Sequence, residues 1–230
     1  VITIFALGGL MFFLAGGEIK QIAIFLVVAV LIGVLVIQVH PTGKERIADY
    51  MSGLRNPTEG SYHVQRSLEA FVNGGWFGAG IGNATTKLTG LPVPPTDSIF
   101  AVVGEETGVI GASLLVGLYG LLMWRGLVIA KRAPDNLGAM IAAGIATWIC
   151  LEAFINMSVL VNLLPFAGNA LPFISAGGSN LMASLAGIGI LLNISRLSLR
   201  KQEEKGKLFN AFVDLRGRDG RRSVSSARRS

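Results

Sequence analysis

Charge is scarce in this sequence. Only 15% of its 230 residues are charged, against about 25% in soluble domains, and the mean hydropathy is +0.59. Those values exclude an ordinary soluble domain. Cysteine is limited to Cys150, so no intrachain disulfide can form; a packed, inert thiol fits its apolar surroundings. Histidine is limited to His40 and His63, isolated from one another, which leaves no support for a transition-metal site of the histidine or cysteine type. An initiator methionine, a basic n-region and a cleavage site are also missing. The sequence opens at Val1 inside an apolar run, as expected of a piece whose upstream part is absent.

What is present is apolar and arranged in blocks. Ile22–Val39 and Thr107–Trp124 are uncharged runs of eighteen residues each, and at ~1.5 Å per residue each crosses most of a ~30 Å hydrocarbon core. The expected architecture is an all-α, polytopic helical-bundle membrane protein with five transmembrane helices: Val1–Ala15, Ile22–Val39, Ser98–Trp124, Leu137–Leu163 and Asn180–Ile194. Gly16-Gly17-Glu18 separates the first two, Pro41 closes the second, and Pro134-Asp135-Asn136 supplies a turn and an N-cap before the fourth. The chain divides into residues 1–39 with two spans, 40–97 as a large connection, 98–195 with three spans and a proline-broken segment at 164–179, and a basic tail at 196–230.

Positive charge sets the orientation. The tail holds eleven Lys/Arg against four Asp/Glu, a net of +7, and Arg125, Lys131 and Arg132 face Asp135 alone in the 125–136 loop. Two helices separate these regions, so both are expected on the cytoplasmic side. Residues 40–97, with five basic and five acidic residues, are then extracytoplasmic. The excess positive charge is a topology signal, with the tail touching anionic membrane lipid, and it does not indicate nucleic acid. The tail's Ser, Gly and Arg content predicts disorder.

A connection as long as 40–97 tends to be functional. Tyr62, Val64, Leu68, Phe71 and Val72 make a partly amphipathic stretch suited to the interface. Five glycines fall between Gly74 and Gly82. Their exposed N–H groups could hold a phosphate, or they form a flexible turn; no P-loop pattern follows them. Lys87 and Arg66 are the basic candidates for a pyrophosphate partner, against the plainer reading of solvated side chains. At the end of the segment, Asp97 sits where the polar, proline-rich Pro94-Pro95-Thr96 gives way to a strongly apolar helix. That placement brings a base within reach of both water and lipid headgroups. Glu105 and Glu106 follow ~12–14 Å into that helix, and Glu152 and Asn156 share a face of the next span. Polar groups at such depth are functional candidates by default; the alternative is a buried network that fixes helix register.

The residues carry a resemblance. Leu171-Pro172-Phe173-Ile174-Ser175-Ala176-Gly177-Gly178-Ser179 resembles the LPFISYGGS segment of the SEDS membrane proteins, the FtsW/RodA/SpoVE family, and residues 96–106 resemble its TDFIFAVIGEE segment. Leu91-Pro92, Ser67 with residues 77–82 and Lys87, Asn156 through Leu164-Pro165 and Gly168, and Leu191–Arg196 match further motifs in order, over roughly residues 5 to 200. The division type, FtsW, is the most similar. Val93, Ser98, Thr107, Ala176, Phe166-Ala167 and Thr86 depart from the family pattern and put loop contacts in doubt.

The resemblance implies the last five helices of a ten-helix fold in the bacterial plasma (inner) membrane, acting as a peptidoglycan glycosyltransferase that polymerises lipid II during cell division. It implies Asp97 as general base. It implies a substrate-binding set of Lys87, Arg66, Gly78, Gly80, Gly82, Thr96, Ser175, Gly177, Gly178 and Ser179. Glu105, Glu106, Glu152 and Asn156 are the intramembrane polar residues. A divalent cation, Mg or Mn, fits such chemistry, although no ligand cluster demands one. A class B penicillin-binding protein transpeptidase and other divisome membrane proteins are the implied partners. A lipid II flippase or transporter, and a non-catalytic division scaffold, are the alternatives. The carboxylates within the spans suit transport, and the long segment carrying Asp97 suits the enzyme. These 230 residues alone are expected to be inactive.

Overall fold

The computed structural model describes residues 2–39, 41–56, 60–86, 96–165 and 168–226, which form seven helices and no strand. In chain order they are α1 (Ile2–Leu14), α2 (Ile19–Val39), α3 (Pro41–Arg55), α4 (Tyr62–Gly74), α5 (Ile99–Arg132), α6 (Asn136–Leu160) and α7 (Gly178–Ser226). Three stretches are long and apolar enough to cross a membrane: Ile99–Arg132, Asn136–Leu160 and Gly178–Lys207. Lys20–Leu35 is apolar but shorter.

The core is built on α5 and α6. Phe100, Ala112 and Tyr119 of α5 pack with Ile149, Ala153, Met157 and Leu160 of α6, and Leu171 closes the cluster. Small residues let the two backbones approach. A Cβ placed on Gly126 would lie 2.3 Å from the Cβ of Ala146, and Ala142, Ala143 and Ala146 are buried. Close packing through small residues is how membrane helices associate when lipid offers no hydrophobic gradient. α4 lies against the first turns of α5, where the Phe71 and Phe100 rings meet edge to face at 5.5 Å.

The 40–97 connection contains α3 and α4. Pro41 begins α3, where proline's fixed φ suits a first helical turn and its missing N–H costs nothing. The tail expected to be disordered continues α7 as helix through Ser226. Residues 199–207 are rich in Leu, Arg, Lys, Gln and Glu, all good helix formers, with Glu203 and Lys207 at the favourable i,i+4 spacing. Glu105 and Glu106 precede a break in their helix. α5 is broken at Gly108, whose φ is 68° and ψ −172°. Residues 109–132 alone are about 36 Å long at helical rise, enough to span. The two glutamates therefore belong to the short segment before the break.

That break explains the glycine loop. Interrupting a helix strands N–H groups after the break and carbonyls before it, and such groups need partners. The 75–80 loop supplies both kinds. Val109 N–H donates to the Gly75 carbonyl at 2.9 Å and Ile110 N–H to that of Trp76 at 3.4 Å. In return Ala79 N–H donates to the Glu105 carbonyl at 2.9 Å, and Gly80 N–H to that of Glu106 at 3.1 Å. A Cβ on Gly78, whose φ is +81°, would stand 2.2 Å from the Glu106 carbonyl oxygen, so no other residue fits there without displacement.

Candidate functional site

Asp97 lies in the turn that leads into α5, partly buried. Two side chains stitch this turn to the 168–175 segment. Asn156 of α6, 2% exposed, donates from Nδ2 to the Asp97 carbonyl at 2.9 Å and also to the Asn169 carbonyl. Ser175 Oγ donates to the Thr96 carbonyl at 2.6 Å and accepts from Leu171 N–H at 2.6 Å. Gly168 completes the fit, because a Cβ there would stand 2.9 Å from Asp97 Oδ2. Tyr119 of α5 donates to the Pro172 carbonyl and fixes the same segment to the core. All these clamps act on backbone, and none of the described hydrogen bonds ends on the Asp97 carboxylate. The arrangement fixes the backbone that carries the carboxylate.

His63 of α4 is the neighbour that sequence reasoning missed. Burial pushes its imidazole below the ordinary histidine range; the charge of Asp97 opposes that shift and Arg46 reinforces it. His63 is therefore neutral at pH 7. Nothing in the sequence joins α4 to Asp97. The only local signal is that Ser67, one turn on, shares its face and donates to the His63 carbonyl at 2.8 Å. Beside His63, α3 and α4 enclose a cavity of about 290 Å³ that reaches Asn162 beyond the end of α6.

Of the expected site residues, the structure gathers Asp97, Thr96, Ser175 and Asn156. The others lie elsewhere. Arg66 bonds Glu69 Oε2 at 2.6 Å and the Tyr62 hydroxyl at 3.2 Å on its own helix, so its charge is already matched. Gly78 N–H donates to the Gly74 carbonyl at 2.7 Å, and with Ala79 and Gly80 also committed, this part of the loop is structural. Gly82 has a left-handed φ of +88°. Gly177, Gly178 and Ser179 form the entry to α7, where Leu181 N–H donates to the Gly177 carbonyl. Lys87, Pro94-Pro95, Leu91-Pro92-Val93 and Phe166-Ala167 lie outside the described residues.

The glutamates resolve into separate roles. Glu105 is 1% exposed. It accepts from Thr85 N–H and Thr85 Oγ1 at 3.1 Å each, from Thr86 N–H at 3.3 Å, and from Thr86 Oγ1. It organises the chain entering residues 85–86. Glu106 contributes its carbonyl to the glycine loop. Glu152 joins α6 to α7 by accepting from Asn180 Nδ2 at 2.8 Å, while its Oε2 is buried without a hydrogen-bond partner among the described residues. Among the described residues, no three His, Cys, Asp or Glu side chains converge as metal ligands. Among the described residues Asp97 belongs to no such cluster.

A family model described as "Cell cycle protein", FTSW_RODA_SPOVE, matches residues 1–200. Stage V sporulation protein E of Bacillus subtilis is 38% identical over 188 residues, covering 82% of this chain and 51% of that protein. A probable peptidoglycan glycosyltransferase FtsW of Thioalkalivibrio sulfidiphilus is 36% identical over 199 residues, covering 85% and 50%. The chain thus spans about half the length of these curated relatives. A solved structure described as "Structural coordination of polymerization and crosslinking by a peptidoglycan synthase complex" superposes with a TM-score of 0.59 at 26% identity, covering 77% of this chain and 48% of that one.

Proposed function

The chain belongs to the FtsW/RodA/SpoVE family, and from that premise we propose that it bears the catalytic base of a peptidoglycan glycosyltransferase. The Asp97 carboxylate takes the proton of the acceptor sugar's 4-hydroxyl as that oxygen attacks the donor's anomeric carbon. A new glycosidic bond forms, the bond from the anomeric carbon to the pyrophosphate oxygen breaks, and undecaprenyl pyrophosphate leaves. General-base assistance of this kind contributes about 10²–10⁴-fold in rate. The observation that carries the reading is the backbone clamp. Asn156 and Ser175 fix Thr96 and Asp97 through their carbonyls, so the carboxylate is held in place without being consumed by structure. Such preorganisation is what a positioned base requires.

Residues 40–97 face outward in this reading and the basic tail faces the cytoplasm, as the charge distribution requires. The partner is a class B penicillin-binding protein transpeptidase, with other divisome membrane proteins. This follows from the family and agrees with a structural neighbour described as a polymerising and crosslinking complex.

The test is polymerisation of lipid II by the full-length protein containing this chain. Asp97→Asn keeps the side chain's shape and leaves the backbone clamp intact, and it is expected to lower glycan-strand formation by at least about 10²-fold. Normal polymerisation by that variant would refute the role of Asp97. Movement of lipid II across vesicles without any polymerisation would favour the transporter.

A further inference from the structure

The 75–82 loop commits its backbone to the break in α5 and turns large apolar side chains away from the protein. Phe77 is 85% exposed and Ile81 87%, with Trp76 beside them also exposed. Apolar surface gains by leaving water, and bare clusters of it mark contact surfaces. The loop cannot fold these side chains back. The Gly75 and Trp76 carbonyls accept from the N–H groups of Val109 and Ile110, and the Ala79 and Gly80 N–H groups donate to the Glu105 and Glu106 carbonyls. Nor is this the amphipathic stretch that the sequence places at 62–72. Val64 and Ala70 of that stretch are buried, and Phe71 packs on Phe100 of α5, so its apolar face is already used.

Three observations identify what covers the loop. The first is its level in the molecule. It is hydrogen-bonded to Val109 and Ile110, the first residues of the stretch after the break, which alone is long enough to span a membrane. The loop therefore stands where the chain enters hydrocarbon. The second is continuity. Val109, Ile110 and Leu114 are exposed too, so bare apolar surface lies on both sides of the junction. The third is charge. No charged residue lies between Glu69 and Lys87. A charge is costly at the edge of hydrocarbon, whereas a surface meeting water has no reason to exclude one. Trp76 fits the same place, because an indole joins an apolar body to a polar N–H and belongs at headgroup level.

We propose that this loop is a membrane-interface anchor. Phe77 and Ile81 insert into the outer leaflet at the boundary of headgroups and acyl chains, and Trp76 sits among the headgroups. The choice of leaflet rests on the outward placement of residues 40–97; the contact with lipid rests on the loop alone. Because the loop is bonded to both sides of the break in α5, the anchor sets the depth of that break, and with it the depth at which residues 97–107 lie.

The experiment uses the full-length protein containing this chain, in nanodiscs of phosphatidylethanolamine and phosphatidylglycerol, with all other cysteines replaced. A fluorophore is attached at Phe77→Cys, at Ile81→Cys and, as a water-facing control, at Glu69→Cys. All three positions are exposed, so the labels leave the fold intact. Iodide quenches from water, and lipids bearing a nitroxide near the top or near the end of the acyl chain quench from the bilayer. Insertion by ~5–10 Å is expected to make the shallow nitroxide at least about twofold more effective than the deep one at positions 77 and 81. Iodide is expected to act there at least about threefold more weakly than at 69. Iodide quenching equal to that at 69 would overturn the anchor. Protection from both quenchers would overturn it as well, since a protein segment, from the upstream half or from a partner, would then cover the loop. Quenching needs no turnover, so a fully active Asp97→Asn variant would remove the proposed base and leave the anchor standing. Labels facing water beside an inactive Asp97→Asn variant would remove the anchor alone.

Discussion

At the residue scale, the decisive fact is that Asp97 is positioned through its main chain. Asn156 holds the carbonyls of both Asp97 and Asn169, so its loss would free two elements at once. Leaving such buried carbonyls unsatisfied costs roughly 1–3 kcal/mol each. Asn156→Ala is expected to lower kcat by about tenfold or more while the KM for lipid II changes little, because the carboxylate remains but its aim is lost. A fall in KM-governed rate with kcat intact would instead place Asn156 in binding. The sequence makes Asn156 legible as a polar residue in an apolar helix. It does not reveal the partner, because that partner is a backbone carbonyl 59 positions away and carbonyls leave no side-chain signature. Ser175 was legible through its motif, but as a substrate contact; its hydroxyl is instead spent on Thr96 and Leu171.

At the element scale, the broken helix α5 and the glycine loop form one unit. The five glycines were visible in the sequence. Their purpose was not, since the kink they serve is made at Gly108, well beyond the loop. Gly78→Ala forces a Cβ against the Glu106 carbonyl at a positive φ, and strain of that kind costs about 1–3 kcal/mol. Its thermal midpoint in detergent is expected to drop by several degrees, whereas a phosphate-holding loop would lose substrate affinity at unchanged stability. At Gly82 an added Cβ meets nothing within 4 Å, so the cost of Gly82→Ala should come from its positive φ.

α4 adds a pH dependence. The folded-state pKa of His63 is lowered from 6.5, chiefly by burial. The unfolded chain therefore binds the proton more readily, and stability rises with pH across the window below 6.5. The contribution is fully present above 6.5 and is lost as pH falls toward the folded-state value. Unfolding scans between pH 5.5 and 7.5 are expected to show this slope, and His63→Gln to flatten it.

At the scale of the whole molecule, the apolar blocks made the helices legible, and their long, apolar character survives in α5, α6 and the first part of α7. Boundaries were less legible. α3 and α4 are polar enough to read as loop, and the helical tail follows from the local propensity of residues 199–207, which overall composition obscures. The charge asymmetry predicts sidedness. In a Cys150→Ala background, Trp76→Cys is expected to react with a membrane-impermeant maleimide in intact cells, and Lys205→Cys only after permeabilisation. Trp76 is 71% exposed, so a failure to label could not be blamed on burial in the fold.

The central claim is met most directly by the distance from the Asp97 carboxylate to the acceptor hydroxyl in a structure of the full-length protein with bound precursor. The account predicts hydrogen-bond reach, about 2.6–3.2 Å or one intervening water, with the Asn156 and Ser175 clamps unchanged. A hydroxyl far from Asp97 and served by another group would contradict it.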